Sequence, residues 1–227
     1  ISIGPAGEMK LAAASVACTD VELRPTRHAG RGGVGAVMGS KGVKAIVIDD
    51  AGAKMRPPKN AEAFKDATKR WVEGLRKHPV TGQGLPAYGT NVLTNVINEA
   101  GGYPTHNFLW GRFAGCSKIS GETQAQTETE RGGVATHGCH RGCIIKCSGI
   151  YVDKDGHYLT KQPEYETVWA HGGNCGIDDL DGIAMLDRLD DDLAEDVRVG
   201  HVANVVGPHV GVDRGAWRVG DKRRFGA

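Results

Sequence analysis

The spacing of apolar and polar positions changes character several times along the chain. Lys44 to Ile48 (KAIVI) is a short β-branched run closed by Asp49 and Asp50, and it predicts a buried strand. Pro57-Pro58 breaks the pattern. Asn60 then caps a predicted helix in which Phe64, Ala67, Trp71, Val72 and Leu75 recur at helical spacing. A second helix is predicted after Thr90, burying Val92, Leu93, Val96 and Ile97 and stopping at Gly101-Gly102. Residues 103–119 read as an aromatic-rich loop, and Ser120 to Arg131 as a polar, solvated helix. Gly149 to Thr160 alternates around Asp155-Gly156, which predicts a hairpin. Pro163 suits the first turn of a helix running through Trp169, with His171 as a core histidine. Asp178 caps a last helix with Leu180, Ile183, Leu186 and Leu189 on one face and its carboxylates solvated. From Val197 onward the periodicity is lost.

Composition narrows the function classes. The chain has 227 residues, of which 40% are hydrophobic and 24% charged, so one or two globular domains are expected. No apolar run approaches the ~18–20 residues of a membrane span. A net charge of +1 argues against bulk nucleic-acid or anionic-membrane binding. The 34 glycines are about twice ordinary usage but follow no collagen-like period. The chain opens on Ile1 with no charged-then-apolar leader, so it reads as an internal piece, truncated at both ends, of a cytoplasmic protein.

Six cysteines divide the chemical possibilities. Cys18, Cys116 and Cys175 are scattered, whereas Cys139, Cys143 and Cys147 form a C-x3-C-x3-C run in HGCHRGCIIKCSG. Three close thiols cannot pair off among themselves, but they suit thiolates converging on one soft metal centre with a fourth ligand from elsewhere. An iron–sulfur cluster, zinc held with help from His137 or His140, and inert buried thiols all remain open. The glycines raise a second question. Gly30-x-Gly32-x-x-Gly35, with Asp49 about twenty residues on, formally matches a dinucleotide fingerprint. The preceding ELRPTRH is a poor buried strand, and Gly39 and Gly42 would burden the following helix. A loop whose amides approach phosphate, with Arg31 adding a planar donor fork, is the alternative, beside a plain set of tight turns.

Taken together, IGPAGE (3–8), AGRGGVGAVMGSKGVKAIVI (29–48), HPVTGQGLPAYGT (78–90), the cysteine triplet and residues 162–192 from QPEYET onward resemble the aldehyde ferredoxin oxidoreductase family. The resemblance implies an α+β fold. Residues 1–55 would be the C-terminal part of a β-sheet domain that supports a pterin, and 56–196 the start of a mainly helical domain. It implies a bis-pyranopterin carrying tungsten or molybdenum, with Arg31, Gly32 and Gly33 at the pterin phosphates and their bridging magnesium. Cys139, Cys143 and Cys147 would hold a [4Fe–4S] cluster passing electrons to ferredoxin or a similar carrier. The reaction would be oxidation of a small aldehyde to a carboxylic acid. Glu164 and Glu166, in PEYET, match the segment that supplies a carboxylate near the metal, with Glu164 favoured. A homo- or hetero-oligomer is compatible with this reading.

The departures are specific. One extra residue separates the first two cysteines from the C-x2-C of many members. The fourth cluster cysteine would lie beyond this chain, and Cys175 is not a natural substitute. The expected D-x-x-G-L-D motif is replaced by DDDLAEDVRVG. There the net charge swings from −10 over 153–196 to +4 over 197–227, and Leu and Ile disappear. This marks 197–227 as a candidate out-of-frame tail. Two rival functions stand beside the oxidoreductase: a zinc- or cluster-stabilised binding module, and an NAD-dependent dehydrogenase.

Overall fold

A computed structural model describes residues 1–193 except Leu23 and Pro25, with the side chains of 191–193 left aside. The candidate tail at 197–227 lies outside the described residues. The chain divides into two compact units, one containing Ile1–Ala45 and the other Ile46–Arg188.

In the first unit, a helical turn α1 (Pro5–Glu8) precedes two short antiparallel strands, β1 (Val16–Cys18) and β2 (Arg27–Ala29). Asp20 turns the chain between them: its Oδ1 accepts the N–H groups of Glu22 and Arg24, both at 2.9 Å. Helix α2 (Val34–Ser40) follows. Ile3, Ala6, Ala14 and Ala17 form the buried apolar centre. Small residues let α1 and α2 approach closely. A Cβ on Gly39 would collide with the Gly7 carbonyl, and one on Gly35 with the Ser15 carbonyl. The predicted strand over Lys44–Ile48 does not form. Ala45 makes a single bridge to Ser2, while Val47 and Ile48 are each 72% exposed. β-branched residues favour extended backbone, but this run meets a neighbour at its start, where Ser2 bridges Ala45 and the Ile3 N–H donates to the Lys44 carbonyl at 3.0 Å, and it is not extended into a ladder.

The second unit opens with α3 (Ala61–Lys77), capped as expected by Asn60, whose Oδ1 accepts the Ala63 N–H at 3.0 Å. Its apolar face is not buried: Phe64 is 61% and Trp71 68% exposed. A π-turn (Val80–Gly84), α4 (Leu85–Tyr88), a 3-10 turn (Thr90–Val92) and α5 (Leu93–Glu99) follow. Here the expected burial holds in part. Val92 and Ile97 are half-buried, Ile97 against the core, but Leu93 and Val96 are exposed, while Asn91 and Thr94 are buried. Asn91 Nδ2 donates to the Ile119 carbonyl at 2.9 Å and to Gln124 Oε1 at 2.6 Å, and its Oδ1 accepts from Thr94 at 2.5 Å. Apolar spacing located this helix but mistook part of its inner face, because a satisfied amide network can be buried as readily as leucine.

α6 (Gly121–Glu130), capped by Ser120, is likewise not the solvated helix its polarity predicts. Gln124 and Glu128 on it are fully buried. Strand β3 (Val134–His137), not foreseen from the alternation, pairs with β4 (Ser148–Val152). β4 pairs in turn with β5 (Tyr158–Lys161), the predicted hairpin, so the sheet order is β3-β4-β5, all antiparallel. The helix after Pro163 starts later than expected, as α7 (Tyr165–Thr167) with Glu164 at the cap position, and widens into a π-turn at Val168–Gly173 that buries His171. In α8 (Leu180–Leu193) the cap is Asp179 rather than Asp178: its carboxylate accepts the Gly182 N–H at 3.1 Å. Asp187 is buried and accepts from Thr160 at 3.0 Å, so this acidic helix is not uniformly solvated.

Tyr103, Phe113, Ile119, Tyr151, Val168, Leu180 and Ile183 make the apolar core of this unit. A bidentate Arg131–Asp181 pair, with Tyr151 donating to Asp181 at 2.8 Å, ties the end of α6 to α8 across it. The architecture is α+β, as the resemblance implied. No helix among the described residues is long and apolar enough to cross a membrane.

Glu128 makes one consequence measurable. Among the described residues neither carboxylate oxygen has a hydrogen-bond partner of good geometry, and burial, opposed by the nearby Gln124 side chain, pushes its pKa from the ordinary 4.5 up to about 9. The folded chain keeps this proton while the unfolded chain releases it, so the group's contribution to stability falls as pH rises between those values. Thermal melts of E128Q should therefore gain on wild type as pH rises, by roughly 2–4 °C for each kcal/mol relieved. Parallel melting curves for the two proteins across that window would refute this.

Candidate functional site

Cys139, Cys143 and Cys147 lie on the loop that joins β3 to β4, so one short segment anchored at both ends by the sheet carries all three thiols. His137 ends β3 and bridges to Cys147, which fixes the base of the loop. All three cysteines are free and half-buried. The Lys146 N–H points at Cys143 Sγ at 3.3 Å, with Lys146 itself left-handed (φ 54°). Tetrahedral zinc with ~2.3 Å bonds to sulfur needs the sulfurs ~3.8 Å apart. Among the described residues, only Asp153, Asp155 and His157 converge their ligand atoms within 4.8 Å. That trio closes the β4–β5 turn, where Asp153 Oδ1 accepts the N–H groups of Asp155 and His157.

The other thiols differ. Cys116 is buried against the Thr94 carbonyl, and burial pushes its thiol up to about 11. Cys175 is exposed, with Sγ 3.2 Å from the Ala170 carbonyl.

Glu164 sits beside the cysteine loop. In the β4–β5 pairing Ile150 faces Lys161, and the Gln162 N–H donates to the Gly149 carbonyl at 2.9 Å. Glu164 follows as the cap residue of α7, held by Thr90, whose neighbour Gly89 lies against the Cys147 carbonyl. Burial raises the Cys147 thiol pKa above its ordinary value, and the Glu164 carboxylate, Cys139 and Cys143 push it further in the same direction. The Glu164 carboxylate is already engaged. Thr90 Oγ1 donates to its Oε2 at 2.6 Å and accepts the Tyr165 N–H at 2.9 Å. Lys161 Nζ lies 3.8 Å from its Oε1, with both side chains largely buried. Glu166, two residues on, is exposed and carries none of these contacts.

Thr90, Lys161 and Gln162 escaped the sequence reading. Thr90 reaches Glu164 because Gly89, left-handed at φ 62°, lets the backbone pass close to the sheet end. A Cβ there would stand 3.1 Å from the Cys147 carbonyl oxygen and 3.0 Å from Gln162 Nε2. A lysine closing a hairpin strand reads as solvated, so nothing local signalled the burial of Lys161.

In the first unit, Arg31 is exposed at the turn between β2 and α2. Gly32 (φ 78°) and Gly33 (φ 64°) are both left-handed, and a Cβ on Gly33 would lie 2.5 Å from the Ala12 carbonyl oxygen. The exposed guanidinium of Arg31 stands beside this uncovered glycine turn, a setting suited to an anion. The strand before it is antiparallel and only three residues long, unlike the parallel βαβ unit of a dinucleotide fold.

The family model for the aldehyde ferredoxin oxidoreductase N-terminal domain matches residues 1–50, and that for domains 2 and 3 matches residues 66–203. The chain belongs to the aldehyde ferredoxin oxidoreductase family. It is 43% identical over 196 residues to the tungsten-containing aldehyde ferredoxin oxidoreductases of Pyrococcus horikoshii and Pyrococcus abyssi. It is 40% identical over 197 residues to that of Thermococcus kodakarensis. Each match covers 86% of this chain, and the chain spans 30% of the length of these relatives. Within this family member, the QPEYET segment and the cysteine triplet, 15 residues apart in sequence from Cys147 to Gln162, meet at one end of one sheet.

The charge of Glu164 on Cys147 can be read by labelling. In the metal-free chain, E164Q should speed alkylation of Cys147 by iodoacetamide near neutral pH a few-fold, because the thiolate fraction rises when the neighbouring negative charge is removed. Peptide mass spectrometry would report it, and an unchanged rate at Cys147 would contradict the arrangement.

Proposed function

We propose that this chain is part of an enzyme that oxidises aldehydes to carboxylic acids in the cytoplasm. The observation that carries the reading is the β3–β4 loop, which presents three free, half-buried thiols with an amide donor on one of them. This donor set fits a [4Fe–4S] cluster with Cys139, Cys143 and Cys147 as ligands and a fourth from elsewhere in the full protein. The left-handed Gly32–Gly33 pair and Arg31 fit the phosphates of a bis-pyranopterin and their magnesium. Residues 1–55 would then belong to the pterin-supporting domain, and 56–196 to the mainly helical one. Tungsten is favoured over molybdenum, because the relatives that match this chain are named as tungsten-containing.

When bound, the pterin metal supplies the two-electron oxidation, and the cluster passes electrons singly to ferredoxin or a similar carrier. The chain's own contribution is to hold these groups and to manage protons. Burial of the triplet keeps Cys147 protonated in the empty chain, so cluster loading must release its proton. Of the two carboxylates in PEYET, Glu166 is the one available to take or orient a substrate proton. Glu164, favoured on sequence, has its carboxylate held by Thr90 and faced by Lys161.

The test uses the full-length protein, produced anaerobically with tungstate. Iron near four per chain, together with tungsten and aldehyde-dependent reduction of a viologen dye, is the expected result. C143S should lose most of the iron. E166Q should keep both metals while its turnover falls by about 10²-fold or more. Zinc in place of iron would replace this reading with the metal-stabilised binding module.

A further inference from the structure

Lys161 is an unusual residue for its position. Its side chain is 5% exposed and its Nζ makes no hydrogen bond among the described residues. Its ion-pair partner, Glu164 Oε1, is 3.8 Å away and 15% exposed. A buried ammonium held only by a long ion pair is a poor stabilising device, since the desolvation of both charges rivals or exceeds their attraction. An apolar residue of similar length would hold the end of β5 at least as well. The arrangement makes sense where a permanent positive charge is wanted in that place.

The place is defined by the sheet. Lys161 is the last residue of β5, paired with Ile150, and Glu164 follows three residues on at the cap of α7. Thr90 Oγ1 donates to the Glu164 carboxylate, so the carboxylate cannot swing away without losing that bond, and the neighbouring Gly89 lies against the Cys147 carbonyl at the point where the cysteine loop enters β4. Gln162 is buried against the Gly89 and Gly149 backbone beside it. The three thiols become thiolates when they take up a metal cluster, and each further electron adds negative charge at the same point. Fixed charges in a water-poor setting act strongly on such a centre, because little solvent screens them.

We propose that the buried Lys161–Glu164 pair sets the electron affinity of the cluster carried on the cysteine loop, Lys161 favouring the reduced state and Glu164 opposing it. This rests on the assignment of an iron–sulfur cluster to Cys139, Cys143 and Cys147. Neither residue ligates the cluster. Both act on it through space, and Thr90 positions Glu164 for that role.

The experiment is redox potentiometry of the full-length, metal-loaded protein, monitored by electron paramagnetic resonance of the reduced cluster. K161M should shift the midpoint potential to more negative values, and E164Q to more positive ones. The double variant K161M/E164Q should return close to wild type, since it removes a pair of opposite charges. K161R keeps the charge and should stay near wild type. If K161M fails to fold, E164Q and K161R still carry the comparison. Unchanged potentials in E164Q and K161M with intact cluster signals would overturn the proposal. So would shifts of the same sign in both. Absence of the cluster signal from wild type would instead overturn the functional assignment beneath it, and the proposal with it.

Discussion

The antiparallel register between β4 and β5 is the constraint on which the candidate site depends. Ile150 against Lys161 closes the far end of the hairpin ladder. From there the chain runs directly into the PEYET segment, so the pairing sets where that segment starts beside the cysteine loop. A slip of one residue would exchange the faces of every side chain on the strand and shift that starting point. The tight Asp155-Gly156 turn and the burial of Tyr151, Val152 and Thr160 oppose such a slip. The core therefore does more than stabilise the second unit, because its packing sets which charges lie beside the thiols.

The two units solve the problem of a small apolar inventory differently. The first relies on close approach: glycines at 7, 35 and 39 let backbone pack on backbone, with alanines and one isoleucine filling what is left. The second adds polar burial to an aromatic core. Asn91, Thr94 and Gln124 link three segments through side-chain amides and hydroxyls, and Gln124 continues to the Pro163 carbonyl beside PEYET. Such networks are sensitive to loss of a single member, since each orphaned group keeps its desolvation cost of about 1–3 kcal/mol. They also restrict the backbone to one arrangement, which a site built from a loop and a strand end requires.

Much of this was legible in the order of residues, for local reasons. The Asn60 cap, the hairpin around Asp155-Gly156 and the cysteine run all depend on chemistry within a few positions of each other. Polarity does not mean exposure in the turn before α5 or in α6, where Asn91, Gln124 and Glu128 face inward. Strand-forming character does not by itself produce pairing at Lys44–Ile48, where Val47 and Ile48 stand open to solvent. Hydrophobic spacing reports which residues could be buried. Whether they are depends on partners distant in sequence.

For this protein, the sequence by itself determined the family and the chemical inventory: three closely spaced thiols, a glycine–arginine turn and a pair of glutamates. Spacing along the chain and ligand chemistry suffice for those. The two glutamates differ in surroundings that no short stretch of residues reveals. Thr90, 74 residues away, and buried Lys161 contact Glu164, while Glu166 is exposed. That difference comes from long-range packing and desolvation.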